Sequence, residues 1–425
     1  MKPIAIVLLW GLVCLASPGL VNAEEHHFKV VLNKFIATAL ESNPGVLELQ
    51  NHIKAAQEVP SQASSLADPI LQFGLMNMPV DTFSFNQEPV TQKTISVSQA
   101  FPFPGKLGLR SKIAEKDITA SELDLEEVKL NLVKGVKQSF YELCFVLAAI
   151  DITMENKKLL EQFVLIAETK YSVGKGIQQD VLKAQVELTK ILDQLIVLEK
   201  FAGTEKARLN TLMNFLPQRP LTIPHGITKT NFSFSVEQLQ ALADSNRPIL
   251  SKINVLREKY ETAKKLAEKD YYPNFNVGFK YGQRQNNRIA DRPDFVSGFV
   301  GINIPIWFES KQSKKVLETG YKVEMTKETY NKAKNQIYFN IKALIDKETQ
   351  SSKTIQLINQ GILPQARQSL ESALAGYSVD KVDFLTLLNN QVTLFKWEVK
   401  YHRELTEYEK TLAEIENVVG KRLFR

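Results

Sequence analysis

The chain has 425 residues and a mass of 48.1 kDa, with 44 % apolar and 24 % charged residues and a mean hydropathy of −0.17. That balance excludes a disordered chain and also a polytopic helical membrane protein. The 53 basic residues sit among 47 acidic ones, so the net charge of +6 describes a mixed surface, not the one-sided field of a nucleic-acid binder.

The N-terminus reads as an address. Met1-Lys2-Pro3 is a short positive start, and Ile4 to Leu15 is an apolar run too short for the roughly 20 helical residues that span a bilayer. Val21-Asn22-Ala23 then offers small residues ahead of Glu24-Glu25, which predicts a secretory signal peptide over residues 1–23 and a mature chain starting at Glu24. The alternatives are an uncleaved anchor or lipidation at Cys14, where Val13 stands in place of the expected small residue. Cys144 is then the single mature thiol, at a packed helix position, and no disulfide framework is implied.

The rest of the chain says the same thing twice. Ala39-Leu40-Glu41-Ser42-Asn43-Pro44 returns as Ala241-Leu242-Ala243-Asp244-Ser245-Asn246-Arg247-Pro248, and Phe101-Pro102-Phe103 as Ile304-Pro305-Ile306. Tyr171-Ser172-Val173 returns as Tyr377-Ser378-Val379, and Gln185-Val186 as Gln391-Val392, with an offset between 202 and 206 throughout. A constant offset across unrelated landmarks marks a tandem duplication. The expected repeats are residues 24–225 and 226–425, with the seam near Pro217 to Thr230.

Within each repeat, strands precede long helices. Expected strands lie near 69–78, 91–101, 273–283 and 294–306, where large apolar residues alternate with small or polar ones. Leu71, Phe73, Leu75, Ile95, Val97, Phe275, Val277, Phe279, Val300 and Ile302 form the side assigned to an apolar medium. Gly74, Ser96, Gly278 and Ser297 fall on the other side, and Phe295 and Phe299 break the pattern. The hairpin loops, Pro79 to Pro89 and Gln283 to Pro293, are polar; Arg284, Arg288 and Arg292 offer either a lipopolysaccharide contact or a merely solvated loop.

No proline occurs between Pro104 and Pro217, and only Pro364 follows Pro305, so helices are expected over 105–171, 177–214, 309–377 and 382–420. A helix of 67 residues would reach about 100 Å, more than a single globular core needs. Ile355, Ile358, Ile362, Ala366, Leu370, Ala373 and Tyr377 step by threes and fours as a coiled-coil seam, kinked by Gly361 and Pro364. Gly174 and Gly176 allow one helix pair to reverse, and Asp380 allows the other.

Four strands of about ten residues have transmembrane length but cannot close alone, because a sheet edge in lipid leaves backbone groups unpaired. Identical chains must therefore each donate four strands; three copies give twelve and leave room for a passage. With the order and spacing of Gln99-Ala100-Phe101-Pro102-Phe103-Pro104-Gly105-Lys106-Leu107 and Tyr171-Ser172-Val173 ahead of Asp180-Val181-Leu182, the whole mature chain resembles TolC-like outer-membrane efflux channels. The first of these segments is most similar to the subgroup serving heavy-metal cation efflux.

That resemblance implies a mainly α fold with a membrane β-barrel portion: tandem-duplicated helical hairpins forming an α-barrel tunnel, plus four transmembrane strands per chain closing a 12-stranded barrel as a homotrimer. It implies a place in the outer membrane of a Gram-negative bacterium, extending into the periplasm. Its partners would be a periplasmic adaptor protein, an inner-membrane transporter of the RND or another type, and outer-membrane lipid. On the same ground the periplasmic tip, gate and adaptor contact comprise Tyr171, Gly174, Asp180, Tyr377, Asp380, Asp383, Thr386 and Asn389. Thr386 and Asn389 are neutral where family members often carry acids, which puts an acidic ring there in doubt.

No enzyme constellation is present: H-E-x-x-H, C-x-x-C, G-x-S-x-G and the phosphate-loop pattern are all missing. Neither catalytic nor cofactor-binding residues are expected, nor nucleic acid. His26-His27 and Met76 with Met78 supply one or two soft ligands each, too few for a metal site. Two other functions remain open: the channel of a type I protein-secretion system, and a periplasmic coiled-coil scaffold without a pore. The scaffold would lack the alternating strands.

Overall fold

The computed structural model describes residues 18–224 and 226–424, with side chains from Phe28 onward. Most of the expected signal peptide, Cys14, and the side chains of His26 and His27 lie outside the described residues. The chain begins with helices α1 (Pro18–Ser42), α2 (Pro44–Gln57) and α3 (Val59–Ser64) and strands β1 (Ile70–Met76) and β2 (Gln92–Phe101). Helices α4 (Lys106–Ser172), α5 (Gln178–Leu212), α6 (Val236–Asn246) and α7 (Pro248–Lys269) follow. Strands β3 (Phe275–Arg284) and β4 (Phe295–Ile302) lead to α8 (Gln312–Leu357), a π-helical turn (Ile358–Ile362), α9 (Leu363–Ser378) and α10 (Phe384–Val419).

Helices α1, α2, α3, α6 and α7 were not among the expected elements, although their start signals are in the sequence. Pro44 and Pro248 stand at the first helical position, where a missing N–H costs nothing. Ser235 and Gln238 form a reciprocal capping box at the start of α6.

The chain divides into two compact units, each drawn from both repeats. A sheet unit comprises Glu48–Glu127 and Pro248–Gln336; a helical unit comprises the described residues up to Leu47, Val128–Arg247, and Ile337 onward. The seam between the repeats therefore runs inside the helical unit and does not separate two bodies.

In the sheet unit the strands pair antiparallel in the order β1-β2-β3-β4, so the two hairpins join through β2 and β3. β4 stops at Ile302, short of 306: Asn303 still donates to the Asn274 carbonyl at 3.3 Å, but Pro305 has no N–H to continue the ladder. The motif after β2 makes the strand-to-helix turn. Gly105 takes φ +87°, and the Lys106 ammonium, buried, meets Asn274 Oδ1 and Asp270 Oδ1, each at 3.0 Å. Asn274 Oδ1 also accepts from Phe103 N at 3.0 Å, and the Phe103 ring stacks on Tyr272 with centroids 4.6 Å apart.

In the helical unit Phe28 and Phe35 of α1 close on Phe140 of α4, with ring centroids 5.1 and 5.7 Å apart. The ends of α5 and α10 are each met by the segment that holds a Ser-Asn pair, but by different donors. Ser42 Oγ and Asn43 Nδ2 donate to the carbonyls of Met213 and Leu212 at the end of α5, at 2.8 and 2.9 Å. Arg247 donates to the Asn417 carbonyl at the end of α10, where Gly420, at φ +77°, lies so near Asn246 that a side chain would not fit. Ser42, Asn43 and Arg247 thus satisfy last-turn carbonyls that a helix leaves unpaired, while Ser245 and Asn246 donate to the Ala241 and Leu242 carbonyls of α6 itself.

The kink expected at Gly361 and Pro364 takes the form of the π turn. Ile355, Ile358, Leu370, Ala373 and Tyr377 are buried as the seam requires, but Leu363 is buried in place of Ile362, which is half-exposed. The extra residue per π turn carries the seam from Ile358 to Leu363 and puts Pro364 within the first positions of α9. Deleting Gly361 should turn the bulge into plain α-helix and place the Pro364 ring in a helix interior, costing about 3 kcal/mol. Deleting Gly361 together with Pro364→Ala should recover most of that loss in denaturant unfolding.

Candidate functional site: the hairpin tips and the strand faces

The tips are the two reversals of the helical unit. Gly174, at φ +75°, and Asp380, at φ +60°, supply the left-handed conformations. Gly176 does not adopt one; its hydrogen is needed because a Cβ would come within 3.1 Å of Lys170 Cβ and Tyr171 N. Tyr377 is buried, against Phe384 with centroids 5.6 Å apart, inside an apolar cluster that includes Phe163, Ala167, Leu370 and Leu387.

One residue that the sequence did not single out ties the reversals together. The Lys170 ammonium, in the last turn of α4, donates to the Tyr377 carbonyl and to Asp380 Oδ1 and lies 4.1 Å from the Tyr377 ring centroid. It closes across 207 residues of chain, a pairing that no local pattern announces. Hydrogen bonding from Lys170 holds the Asp380 carboxyl below its ordinary value.

Asp180 and Asp383 open α5 and α10. Asp383 is an N-cap, accepting from Thr386 N at 2.6 Å, and this bond lowers its pKa. Asp180 shifts the other way, because partial burial and the Asp383 charge outweigh the opposing charge of Lys183. Asp180, Tyr377, Asp380 and Asp383 line one concavity with Lys170 and Lys183. Tyr171, Gly174 and Thr386 do not line it, and Asn389 lies in an adjoining groove between α5 and α10. That groove has an apolar floor of Leu182, Val186, Leu385 and Val392, edged by Lys183, Lys190 and Lys396.

The strand register sorts the side chains of the sheet unit. Leu71, Val97 and Phe279 are cross-strand neighbours, as are Phe73 and Ile95, and Phe275 pairs with Ile302 and Val277 with Val300. Leu75 follows two residues after Phe73 on the same strand, so all ten residues expected on the apolar side share one face. Gly74, Ser96, Gly278 and Ser297 share the other.

Phe299 breaks the alternation for a reason: its ring covers Gly278 on the facing strand, where a Cβ would overlap it. Phe295 on the same face stacks on the Arg284 guanidinium at 3.9 Å. β1 and β4 each pair on one side only. Beyond the helix-side ends of the strands, Tyr272, Trp307 and Phe308 are exposed.

Two loop arginines are occupied internally. Arg292 donates to the carbonyls of Glu88 and Asn86 at 3.0 and 3.3 Å, and Arg284 to those of Pro293 and Pro89 at 2.7 and 3.1 Å, tying the hairpin loops together. The Met76 sulfur accepts from Gln92 Nε2 at 3.3 Å, and Lys280 Nζ lies 3.6 Å from it. Cys144 is a free, buried thiol whose pKa burial pushes up. Among the described residues no helix is long and apolar enough to cross a membrane, which says nothing of strands.

A family model described as outer membrane efflux protein matches residues 35–214. The chain is 19 % identical over 330 residues to the cobalt-zinc-cadmium resistance protein CzcC of Cupriavidus metallidurans, covering 75 % of this chain and 74 % of the relative. It is 22 % identical over 336 residues to the toxin and drug export protein A of Aggregatibacter actinomycetemcomitans, covering 74 % and 72 %. The outer membrane protein VceC from Vibrio cholerae superposes with a TM-score of 0.78 at 16 % identity, over 92 % of this chain and 96 % of that one.

The tip geometry makes a prediction of its own. Lys170→Met should loosen both reversals while sparing the helices, seen as faster hydrogen exchange in residues 171–177 and 378–383 only. In the unchanged protein the same loosening should set in as the pH falls below the ordinary Asp380 value of 3.8, since a carboxyl with a lowered pKa contributes above that value and loses its contribution in acid.

Proposed function

We propose that this chain is a TolC-like outer-membrane efflux channel and forms the passive exit duct of a tripartite efflux system. Three copies close the barrel in the outer membrane, and a periplasmic adaptor joins them to an inner-membrane pump. The observation that carries this reading is the four-stranded sheet with one apolar face and two unpaired edges. In hydrocarbon each orphaned backbone group costs on the order of a few kcal/mol, so the edges must pair with those of other copies.

Two copies would supply eight strands, whose interior side chains fill; three supply twelve and leave a lumen. The apolar face then meets lipid, and the small and polar face meets water. The exposed aromatic residues beyond the strand ends suit the membrane–water boundary. The tip residues and the lysine-edged groove between α5 and α10 form the constriction and the adaptor contact. The duct performs no chemistry of its own.

The names of the relatives favour toxic small molecules or metal cations as cargo, and the toxin-exporting relative keeps protein secretion as a second reading. Deleting the gene should raise sensitivity to cobalt, zinc and cadmium salts or to drugs; loss of an exported protein without such sensitivity would favour the second reading.

The faces can be tested directly. Phe279→Arg or Val300→Arg should cost about 2–4 kcal/mol at mid-membrane depth and abolish assembled trimers on non-denaturing gels. Ser297→Arg should leave trimers intact and lower single-channel conductance. Equal tolerance at all three positions would mean that the faces are reversed or that the sheet is not in lipid. Lys170→Met should raise the conductance of assembled channels in planar bilayers.

A further inference from the structure

The four strands carry three basic residues, Lys93, Lys280 and Arg284, and neither aspartate nor glutamate. The register separates the three. Lys93 pairs with Leu75 and so shares the apolar face, whereas Lys280 pairs with Ser96 and Ser297, and Arg284 with Gln92, on the small and polar face. Gln72, Ser96, Lys280 and Ser297 make one transverse row across all four strands. Met76, Gln92 and Arg284 make another, nearer the hairpin loops.

The Lys280 ammonium does not stay in its own row. Its Nζ lies 3.6 Å from the Met76 sulfur, which also accepts from Gln92 Nε2 at 3.3 Å, so its charge stands at the level of the Arg284 row. The thioether is neutral. The Arg284 guanidinium likewise ends on neutral acceptors, the carbonyls of Pro293 and Pro89, at 2.7 and 3.1 Å. The acid adjoining the sheet is Asp294, directly ahead of β4, and it is committed elsewhere. It accepts from Arg284 N at 2.8 Å and from the Tyr281 hydroxyl, and Tyr281 stands in the row of Phe73 and Ile95 on the apolar face.

We propose that Lys280 and Arg284, repeated in each copy, form an anion-binding belt in the lumen of the barrel, so that the outer end of the duct favours anionic cargo over free metal cations. The inference rests on the duct reading above, because only a closed barrel with this face inward sets the cations of all its copies around one passage. An aqueous passage with low-dielectric walls focuses their field and raises the local concentration of anions. The strands supply no carboxylate to cancel it. The other polar groups at these levels, the amides of Gln72 and Gln92 and the hydroxyls of Ser96 and Ser297, can each donate to an anion. Molecules bearing phosphate, sulfate or several carboxylate groups match that chemistry.

The test is block of single channels of the purified full-length protein in planar bilayers, with inorganic pyrophosphate as the probe. Pyrophosphate should block the current at about 0.1 M KCl and lose its effect at about 1 M, where the Debye length falls from about 10 Å to about 3 Å. Lys280→Gln should weaken the block about tenfold, and Lys280→Arg, which keeps the charge, should retain it. Lys93→Gln, on the opposite face, should leave it unchanged. No block of the unchanged channel, undiminished block of Lys280→Gln, or equal relief by Lys93→Gln would each overturn the belt. Should Lys280→Gln fail to assemble, Gln72→Glu, which sets a carboxylate in the Lys280 row, should weaken the block; an unchanged block would count against the belt. Absence of both trimers and conductance in the unchanged protein would overturn the duct reading itself, an outcome distinct from a channel that conducts and is not blocked.

Discussion

Backbone N–H and C=O groups along β1 and β4 point away from the sheet with no strand to receive them, and much of the rest can be understood from that deficit. In water such edges are tolerable and beside hydrocarbon they are not, and the register gathers ten apolar side chains on one face of the sheet. On the function proposed above, such a sheet is a fraction of a closed surface that other copies complete. Side chains on the opposite face are mostly small or polar, and the Phe299 ring is admitted where Gly278 leaves room for it.

The helical unit answers a different problem, that of ending long helices without leaving their last carbonyls bare. Ser42 and Asn43 serve α5, and Arg247 serves α10, so the two repeats meet the same local need with different side chains. At the opposite ends of those helices the reversals are held less generously. A single ammonium, that of Lys170, reaches both the Tyr377 carbonyl and Asp380.

Elements with a strong period were legible from residues alone. Proline-free stretches became α4, α5 and α10, and alternation located the strands to within a few residues. Where the reading slipped, a local conformation had intervened. The π turn moved Leu363 into the seam in place of Ile362, because one added residue in a turn displaces every later side chain around the axis. Short helices such as α6 carried their signal in caps rather than in periodicity.

Chain chemistry by itself determined the alternation of the strands and the long proline-free helices, since these depend on neighbours two to four residues apart. Only the tertiary structure decided that β2 lies against β3, that Lys170 meets Asp380, and that Lys280 reaches Met76. Each of these joins residues more than a hundred positions apart. Such contacts are selected by which surfaces can be buried together at once, a condition on the whole fold that no window of sequence contains.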